Sequence, residues 1–339
     1  MKELTMNLTT KALTLILATT LPALAAEDQI HETRPAQTGG ELVVDVDFGS
    51  ITVTPGESDK VTVDAHRKVE GVSDEKAKQY LADTPIRVTT EGNKVIVRER
   101  RRHESLGGLF SWLGSIRTEA HFNVRVPANF RLDLDTSGGS ISASGTTGAV
   151  KADTSGGKLA FEKIHGDIKG DTSGGAITAK ACEGNLNLDT SGGHIEVADG
   201  RGQLKADTSG GRVTVLNFAG DTQVESSGGK LRLANIGGKL TAETSGGAIE
   251  AILPSPIAGD VSLDTSAGSV TVMVPANAGL TIDAETGSGH VQSDLQMSDV
   301  RSDNDSLKAT VNGGGKRLVL RSGAGSIRIV AADHQTAQK

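Results

Sequence analysis

Apolar and polar residues alternate with a period of two along much of the chain, in short runs that end at glycines. Within residues 189–206, apolar side chains stand at Ile195 and Val197 and again at Leu204 and Ala206. Alternation of this kind, bounded by glycine, is typical of short β-strands with one apolar face. Each such stretch therefore predicts two strands joined by turns.

The strand pattern repeats together with the motif DTSGG. Consecutive copies are 18 residues apart, with two later steps of 21 residues and one of 36, and they begin at Asp135, Asp153, Asp171, Asp189, Asp207, Glu225, Glu243, Asp264, Glu285 and Arg321. A unit this short cannot bury its apolar face alone, but stacked units pair equivalent strands about 4.8 Å apart. We therefore predict an all-β fold, a parallel β-helix (β-solenoid) with about 18 residues per coil, and expect it to be right-handed.

Strand alternation also assigns the motif residues to the two sides of the wall. If Leu204 and Ala206 face inward, then Lys205 and Asp207 face outward and Thr208 faces inward. The same parity predicts an inner column of threonines, whose hydroxyls bond to one another or to turn carbonyls, and an outer column of acids. The two glycines that follow form the corner.

The chain divides into four parts on these patterns. Residues 1–25 combine two lysines with an apolar run that ends in Ala23-Leu24-Ala25, which predicts a signal peptide. Residues 40–134 form an N-terminal β region that begins or caps the solenoid, with a short helix over Ser73–Asp83 capped by Ser73 and an apolar and basic insertion over 99–120. Residues 135–331 hold the regular repeats, with 312–330 as the last coil, and 332–339 form a flexible tail.

Composition excludes several classes of function. Residues 1–25 carry two lysines and one glutamate, so their removal changes the formal charge from -7 to -8, and nucleic acid is not expected as a partner. Six Phe, one Trp and one Tyr are too few for a sugar-stacking platform. The single cysteine, Cys182, cannot form an internal disulfide. After residue 25, no segment is long and apolar enough to predict a transmembrane helix.

Three further segments carry a resemblance to a known family. They are "FGSITVT" from Phe48, "FNVRVPANFRLDLDTSGGSI" from Phe122 and "GGGKRLVLRSGAGSIRI" from Gly313. With the Ser-Gly-Gly repeats, they resemble the bacterial adhesin-labelled family of β-strand-repeat domains, over roughly residues 40–331. The resemblance implies a β-solenoid and an adhesin role, in a family mostly of unknown function.

No catalytic residues and no cofactor are predicted. The hexapeptide GDTSGG at Gly170 is similar to the GDSGG of serine proteases, but the threonine breaks that spacing and no histidine recurs with the copies. A flat threonine array would suit ice binding, but parity turns the threonines inward. An enzyme acting on polysaccharide would need a cluster of acids and bases that breaks the repeat, and the irregular spacers offer acids without aromatic subsites.

The acidic column is the better candidate for chemistry. Calcium could bridge its carboxylates, with Asp153, Asp171, Asp189 and Asp207 as the candidate ligands. Lysines, however, stand two residues before three of these acids, at Lys151, Lys169 and Lys205, on the same outward face. A solvated ladder of mixed charge needs no metal, and we favour this interpretation.

The insertion is the candidate contact site, because it places basic residues beside apolar ones in the sequence. Its candidate residues are Arg100, Arg101, Arg102, Leu109, Phe110, Trp112 and Leu113. They could touch an anionic membrane surface or a protein partner. The alternative, which we favour, is that the apolar side chains cap the open first coil.

Together these patterns predict an exported, non-enzymatic protein that binds or scaffolds an unknown partner at the cell envelope, in the periplasm or at the cell surface. A periplasmic envelope-stress or regulatory accessory protein is the alternative. A polysaccharide-acting β-helix enzyme ranks third.

Overall fold

The computed structural model describes residues 26–99 and 117–332, which form 28 strands and one α-helix. The all-β prediction is confirmed. The predicted signal peptide, residues 100–116 of the predicted insertion and residues 333–339 of the predicted tail lie outside the described residues. In the described part of the chain, no helix is long and apolar enough to cross a membrane.

The N-terminal region contains the helix and seven strands. In chain order they are β1 (Ala26–Pro35), β2 (Gly40–Val46), β3 (Ser50–Pro55), β4 (Lys60–Glu70), α1 (Asp74–Asp83), β5 (Ile86–Glu91), β6 (Lys94–Glu99) and β7 (Arg117–Val126). Ser73 is the N-cap, as predicted, although its side chain makes no capping bond. Burial of Ala77, Tyr80 and Leu81 against Val69 therefore holds the helix in place.

The repeats form a regular series of short strands. They are β8 (Phe130–Thr136), β9 (Ile141–Ser144), β10 (Val150–Thr154), β11 (Leu159–Glu162), β12 (Ile168–Thr172), β13 (Ile177–Lys180), β14 (Glu183–Thr190), β15 (Ile195–Thr208), β16 (Val213–Ala219), β17 (Thr222–Ser226), β18 (Leu231–Ile236), β19 (Leu240–Thr244), β20 (Ile249–Ile252), β21 (Val261–Thr265) and β22 (Val270–Pro275). They pair in parallel, and Asp153 lies opposite both Asp135 and Asp171. Equivalent residues of successive coils therefore stack in columns.

Two walls of stacked strands enclose the core. The first wall contains the strands that end in the acid and threonine of the motif, and the second wall contains those that follow the Gly-Gly corner; β15 runs through both, with its first residues in the second wall and its last residues in the first. Inward residues such as Ile195, Val197 and Ala206 are at most 1% exposed, and each large aliphatic side chain buried this way contributes about 1.5–3 kcal/mol. As the alternation predicts, the core consists mainly of aliphatic ladders.

Phenylalanine fills the places where an inner column has glycine. A Cβ built on Gly170 would lie 3.0 Å from the ring of Phe161, and one built on Gly200 would lie 2.8 Å from the ring of Phe218. Both rings are at most 1% exposed. A missing side chain in one coil is thus compensated by a larger one nearby, which keeps the core densely packed.

The corner between the walls is held by the inner threonines. Thr190 donates a hydrogen bond from Oγ1 to the carbonyl of Gly175 in the preceding coil (2.9 Å) and accepts one from the Gly193 N–H in its own coil (3.1 Å). The same donor bond to the neighbouring coil is made by Thr136, Thr154, Thr172, Thr208, Ser226, Thr244, Thr265, Thr286 and Ser322. Of the two partners predicted for these hydroxyls, the structure contains the turn carbonyls.

The second glycine of the corner has no room for a side chain. A Cβ on Gly193 would lie 1.8 Å from the carbonyl oxygen of Gly175, whereas the nearest atom to a Cβ on Gly192 is 3.7 Å away. Close approach between the backbones of adjacent coils therefore requires glycine at the second position of the corner. The first position has room for a side chain.

The C-terminal segment departs from the predicted order of coils. It contains β23 (Leu280–Thr286), β24 (Val291–Ser293), β25 (Ser298–Ser302), β26 (Ser306–Val311), β27 (Lys316–Ser322) and β28 (Ile327–Ala332). Strand β27 pairs in parallel with β21 on one side and with β23 on the other. The prediction that residues 312–330 form the last coil is wrong, because the chain passes outward through β23 to β26 and then returns to fill the place beside β21.

The N-terminal end is arranged in the same way. Strand β2 lies between β6 and β8, and β3 lies between β7 and β9. Beyond this coil, β5 pairs with β6, β4 with β7 and β1 with β4, all antiparallel. Residue 99 and residues 117–120 of the predicted insertion are therefore parts of strands.

We expect Gly193→Ala to lower the free energy of unfolding by at least about 3 kcal/mol, because the new Cβ overlaps a backbone carbonyl. The matched variant Gly192→Ala has space and should change it by less than about 1 kcal/mol. Urea denaturation followed by circular dichroism measures both. Equal losses in the two variants would contradict the close-approach explanation.

Replacement of Thr190 by valine keeps the shape and removes the hydroxyl, which leaves the Gly175 carbonyl and the Gly193 N–H without this partner. The expected loss is about 2–4 kcal/mol in the same denaturation experiment. Thr190→Ser keeps the hydroxyl, as Ser226 does in its own coil, and should cost less than about 1.5 kcal/mol. A serine variant as unstable as the valine variant would show that the methyl group matters more than the bonds.

Candidate functional site

An open groove runs along the corner that follows the first wall. Two adjoining sections of about 290 and 580 Å³ meet at Asp189. Their lining consists of acids, threonines and exposed serines, including Asp135, Asp153, Asp171, Asp207, Glu225, Glu243, Asp264, Ser155, Ser173, Ser191, Ser209, Ser227, Ser245 and Ser266. We call this surface the acidic groove.

Three of the predicted candidate acids contact lysines. The carboxylates of Asp153, Asp171 and Asp207 lie 2.8, 3.1 and 3.0 Å from the ammonium group of the lysine two residues earlier in the same strand. Each pair is partly exposed, so each contributes little to stability. Their main effect is to offset repulsion between acids in adjacent coils.

Asp189 is the candidate acid without such a lysine, because Asn187 occupies the equivalent position. Burial, followed by the charges of Asp207 and Asp171, raises the pKa of Asp189. Burial, followed by the charges of Asp153 and Asp45, raises the pKa of Asp135, and the residue two positions before it is another acid, Asp133. Both carboxylates therefore lie in the groove close to other acids and have no lysine two residues before them.

The acidic groove presents carboxylate oxygens and serine hydroxyls, and the residues that line it include no histidine. Such a surface can attract cations and accept hydrogen bonds. Among the described residues, no group of three or more His, Cys, Asp or Glu is arranged to hold a metal ion. Calcium binding by Asp153, Asp171, Asp189 and Asp207 remains a hypothesis.

The candidate contact residues from Arg100 to Leu113 lie outside the described residues. The strand that leads into them ends at Glu99, which is 3% exposed and belongs to a buried ion network. Arg67 donates hydrogen bonds to Glu99 Oε1 (2.7 Å), to Asp28 and to the carbonyl of Thr84. Burial raises the pKa of Glu99 in spite of this arginine.

Sequence reasoning missed the buried network, although one signal was present. Arg67 stands between Ala65 and Val69 in the inward series of β4, where a charged residue requires a partner. The identity of that partner could not be read from the chain, because Asp28 and Glu99 come from other strands.

A second missed feature is a column of left-handed residues at another corner. Asp199, Asn217 and Asn235 have φ of 54–56° and stack 18 residues apart. Asn217 donates a hydrogen bond to Asp199 Oδ1, and Asn235 donates one to Asn217 Oδ1, both at 3.0 Å. Asn and Asp are the non-glycine residues that tolerate this conformation best. Their recurrence at one repeat position was the available signal.

Comparison with solved structures finds matches over most of the chain. A putative cell adhesion protein from Clostridium sporogenes is 13% identical, with 90% of this chain and 100% of that one covered and a TM-score of 0.22. A putative adhesin from Bacteroides fragilis is 13% identical, with 89% and 97% covered and a TM-score of 0.32. A putative lipid binding protein from Parabacteroides distasonis is 11% identical, with 91% and 97% covered and a TM-score of 0.36. No curated protein matches the chain.

The parallel pairing of short repeats, the threonine-bridged corner and the aliphatic ladders define an all-β repeat protein with a long, open sheet. The Toastrack DUF4097 family model matches residues 40–330, and the chain belongs to this family. The resemblance inferred from the repeated strands thus leads to a β-repeat family of unknown function.

The unneutralised charge of Asp189 gives a pH prediction. Its pKa is higher in the folded than in the unfolded protein, so the ionised carboxylate opposes folding above the folded pKa and has no effect below the unfolded one. Asp189→Asn should therefore raise the free energy of unfolding at neutral pH, by less than about 1 kcal/mol because the site is open to solvent.

The gain should disappear at about pH 2.5, where Asp189 is protonated in both the folded and the unfolded protein. Urea denaturation at the two pH values measures this. The matched variant Asp207→Asn loses a lysine contact and should bring no gain at neutral pH. An equal gain in both variants would contradict the assignment to Asp189.

Proposed function

We propose that the protein is exported and acts as a non-enzymatic β-solenoid that binds or scaffolds a partner at the cell envelope, in the periplasm or at the cell surface. The lysines and the apolar run of residues 1–25 support export. We also propose that the solenoid is a right-handed β-helix of about 18 residues per coil, with an irregular region over 40–134 and regular repeats over 135–331. It includes no nucleic-acid partner, because the chain carries a net negative charge.

The acidic groove is the observation that carries the binding role. Stacked coils repeat the same carboxylate and hydroxyl groups at one corner, and the threonine bonds between coils fix their spacing. Repetition of one weak contact along a rigid surface multiplies affinity without any single deep pocket. A partner that displays regularly spaced cationic or hydroxyl groups fits this surface.

The segment from Arg100 to Leu113 is the second proposed contact. It follows Glu99 and precedes Arg117, so both of its flanking strands belong to the N-terminal end of the molecule. Arginines beside Leu109, Phe110 and Trp112 suit an anionic membrane surface or a protein partner. Capping of the first coil by the same side chains is the competing explanation, and it is the one that the sequence favours.

Phe110→Ser combined with Trp112→Ser distinguishes the two explanations. If the segment makes the contact, the double variant should lose most of its association with isolated cell envelopes while its melting temperature changes by less than about 2 °C. Pull-down from envelopes and calorimetry measure the two quantities. Phe48→Ser is the matched control, because Phe48 is an exposed aromatic (46%) elsewhere at this end.

A large fall in melting temperature with unchanged association would contradict the contact and favour capping. Cell fractionation tests the compartment, since a protein confined to the periplasm cannot contact another cell; this result would exclude an adhesin role and favour an envelope-stress or regulatory accessory protein. Turnover on a panel of glycans would overturn the non-enzymatic role.

A further inference from the structure

The outward side of the second wall differs in character from the acidic groove. Over six successive coils, one outward column is aliphatic, and its members, in order along the stack, are Ala198, Leu216, Ala234, Ile252, Met273 and Val330. Five of the six are partly exposed and Ala234 is 8% exposed, so together they form an apolar line on the outward side of the wall. We call the outward side of these coils the aliphatic face.

A second outward column runs beside the aliphatic one, two residues earlier in each strand. In the same order its members are Glu196, Thr214, Arg232, Glu250, Thr271 and Arg328. The carboxylate of Glu250 lies 2.5 Å from the ammonium group of Lys230. In the described part of the chain, Glu196, Arg232 and Arg328 have no ion-pair partner.

The order of charges in this column is complementary to its own reverse. The column reads acid, threonine, base, acid, threonine, base. If the same column is laid beside it in the opposite direction, every acid faces a base and every threonine faces a threonine. If a second copy lies against the face with its stack reversed, Glu196 meets Arg328, Thr214 meets Thr271 and Arg232 meets Glu250. A twofold axis parallel to the strands produces this arrangement, because it reverses the order of coils while each column stays opposite itself.

The aliphatic column is complementary under the same operation. Ala234 meets Ile252, Ala198 meets Val330 and Leu216 meets Met273, so that alanine faces a larger side chain in two of the three pairs. One coil further out, Lys180 meets Asp294, which follows β24 and whose Oδ1 accepts a hydrogen bond from the Ala331 N–H (2.7 Å). No like charges oppose each other in either column.

The other twofold arrangement that brings this face against itself is unfavourable. An axis along the stack would place the two columns opposite one another, so that Glu196 would face Ala198 and Arg232 would face Ala234. Charges would then be buried against methyl groups without partners, which is costly. The charges therefore select the reversed arrangement.

We propose that the aliphatic face is a homodimer interface, in which a second copy of this chain packs antiparallel about a twofold axis between the coils of Arg232 and Glu250. This interface is separate from the surfaces assigned to the proposed function and goes beyond it. With the coils of Lys180 and Asp294 added at its two ends, the contact spans eight coils at about 4.8 Å per step and strands of about four residues, which makes it roughly 34 Å by 13 Å, or about 900 Å² buried in total. An interface of this size holds a weak, concentration-dependent dimer.

Sedimentation velocity of the purified protein between about 1 and 200 μM tests the proposal, with a dimer expected in the upper part of this range. Arg232→Glu places two acids opposite each other twice in the dimer and should weaken association at least about tenfold. Glu250→Arg places two bases opposite each other and should do the same. Circular dichroism and melting temperature verify that both variants are folded.

Recombination of the variants gives the decisive measurement. The double variant Arg232→Glu/Glu250→Arg exchanges the two charges and should dimerise like the wild type. An equimolar mixture of the two single variants should form heterodimers, because every facing pair is then acid with base. Arg201→Glu, an exposed position at another corner, is the matched control and should leave the dimer unchanged.

A wild-type protein that is monomeric throughout this range would overturn the proposal. So would a dimer that Arg232→Glu does not weaken, or single variants that do not recombine in the mixture. Monomeric protein that binds phosphatidylcholine vesicles, and loses this binding on Leu216→Ser, would assign the face to a lipid surface instead.

Discussion

The threonine hydroxyl that joins each coil to the preceding one is the contact on which the rest of the structure depends. In one buried position, Thr190 Oγ1 satisfies a carbonyl of the neighbouring coil and an N–H of its own. Buried backbone groups that lack such a partner are costly. The bond also brings two backbones so close at the corner that only glycine fits at positions such as Gly193. Threonine and glycine are therefore required together, which explains why they recur together.

Stacking at this corner has an electrostatic consequence on the outer surface. Because coils repeat in register, each outward position becomes a column, and like charges in a column repel. On the first wall, lysines beside Asp153, Asp171 and Asp207 offset this repulsion. Asp189 has no such lysine, and burial together with the charges of its neighbouring acids raises its pKa. On the second wall the outward residues differ from coil to coil, so acids, threonines and bases follow one another along the stack. Around Arg232 this order of charges is complementary to the same order read in reverse.

The two ends of the molecule protect their outermost repeat coils by interleaving. Residues 40–55 and 316–330 each pair with strands on both sides, since later or earlier parts of the chain pass beyond them. Antiparallel strands then complete each end, which limits the unpaired edges through which β-proteins aggregate. At the N-terminal end the same arrangement buries Arg67 with Glu99, and the pair is tolerable only because their charges meet.

Period and parity in the sequence were sufficient to determine which residues stack and which way they face. The inner threonines, the aliphatic ladders, the lysines beside the acids and the helix at Asp74–Asp83 all followed, because each depends on neighbours a fixed number of residues away. The tertiary structure alone decided the order of coils at the ends, the partners of Arg67 and the place of Arg328 in the charged column of the second wall. These depend on which distant segments meet, and every repeat unit offers the same backbone edge to every other. The sequence pattern therefore does not specify which strands pair at the ends of the stack, and only the folded structure shows the order of the units.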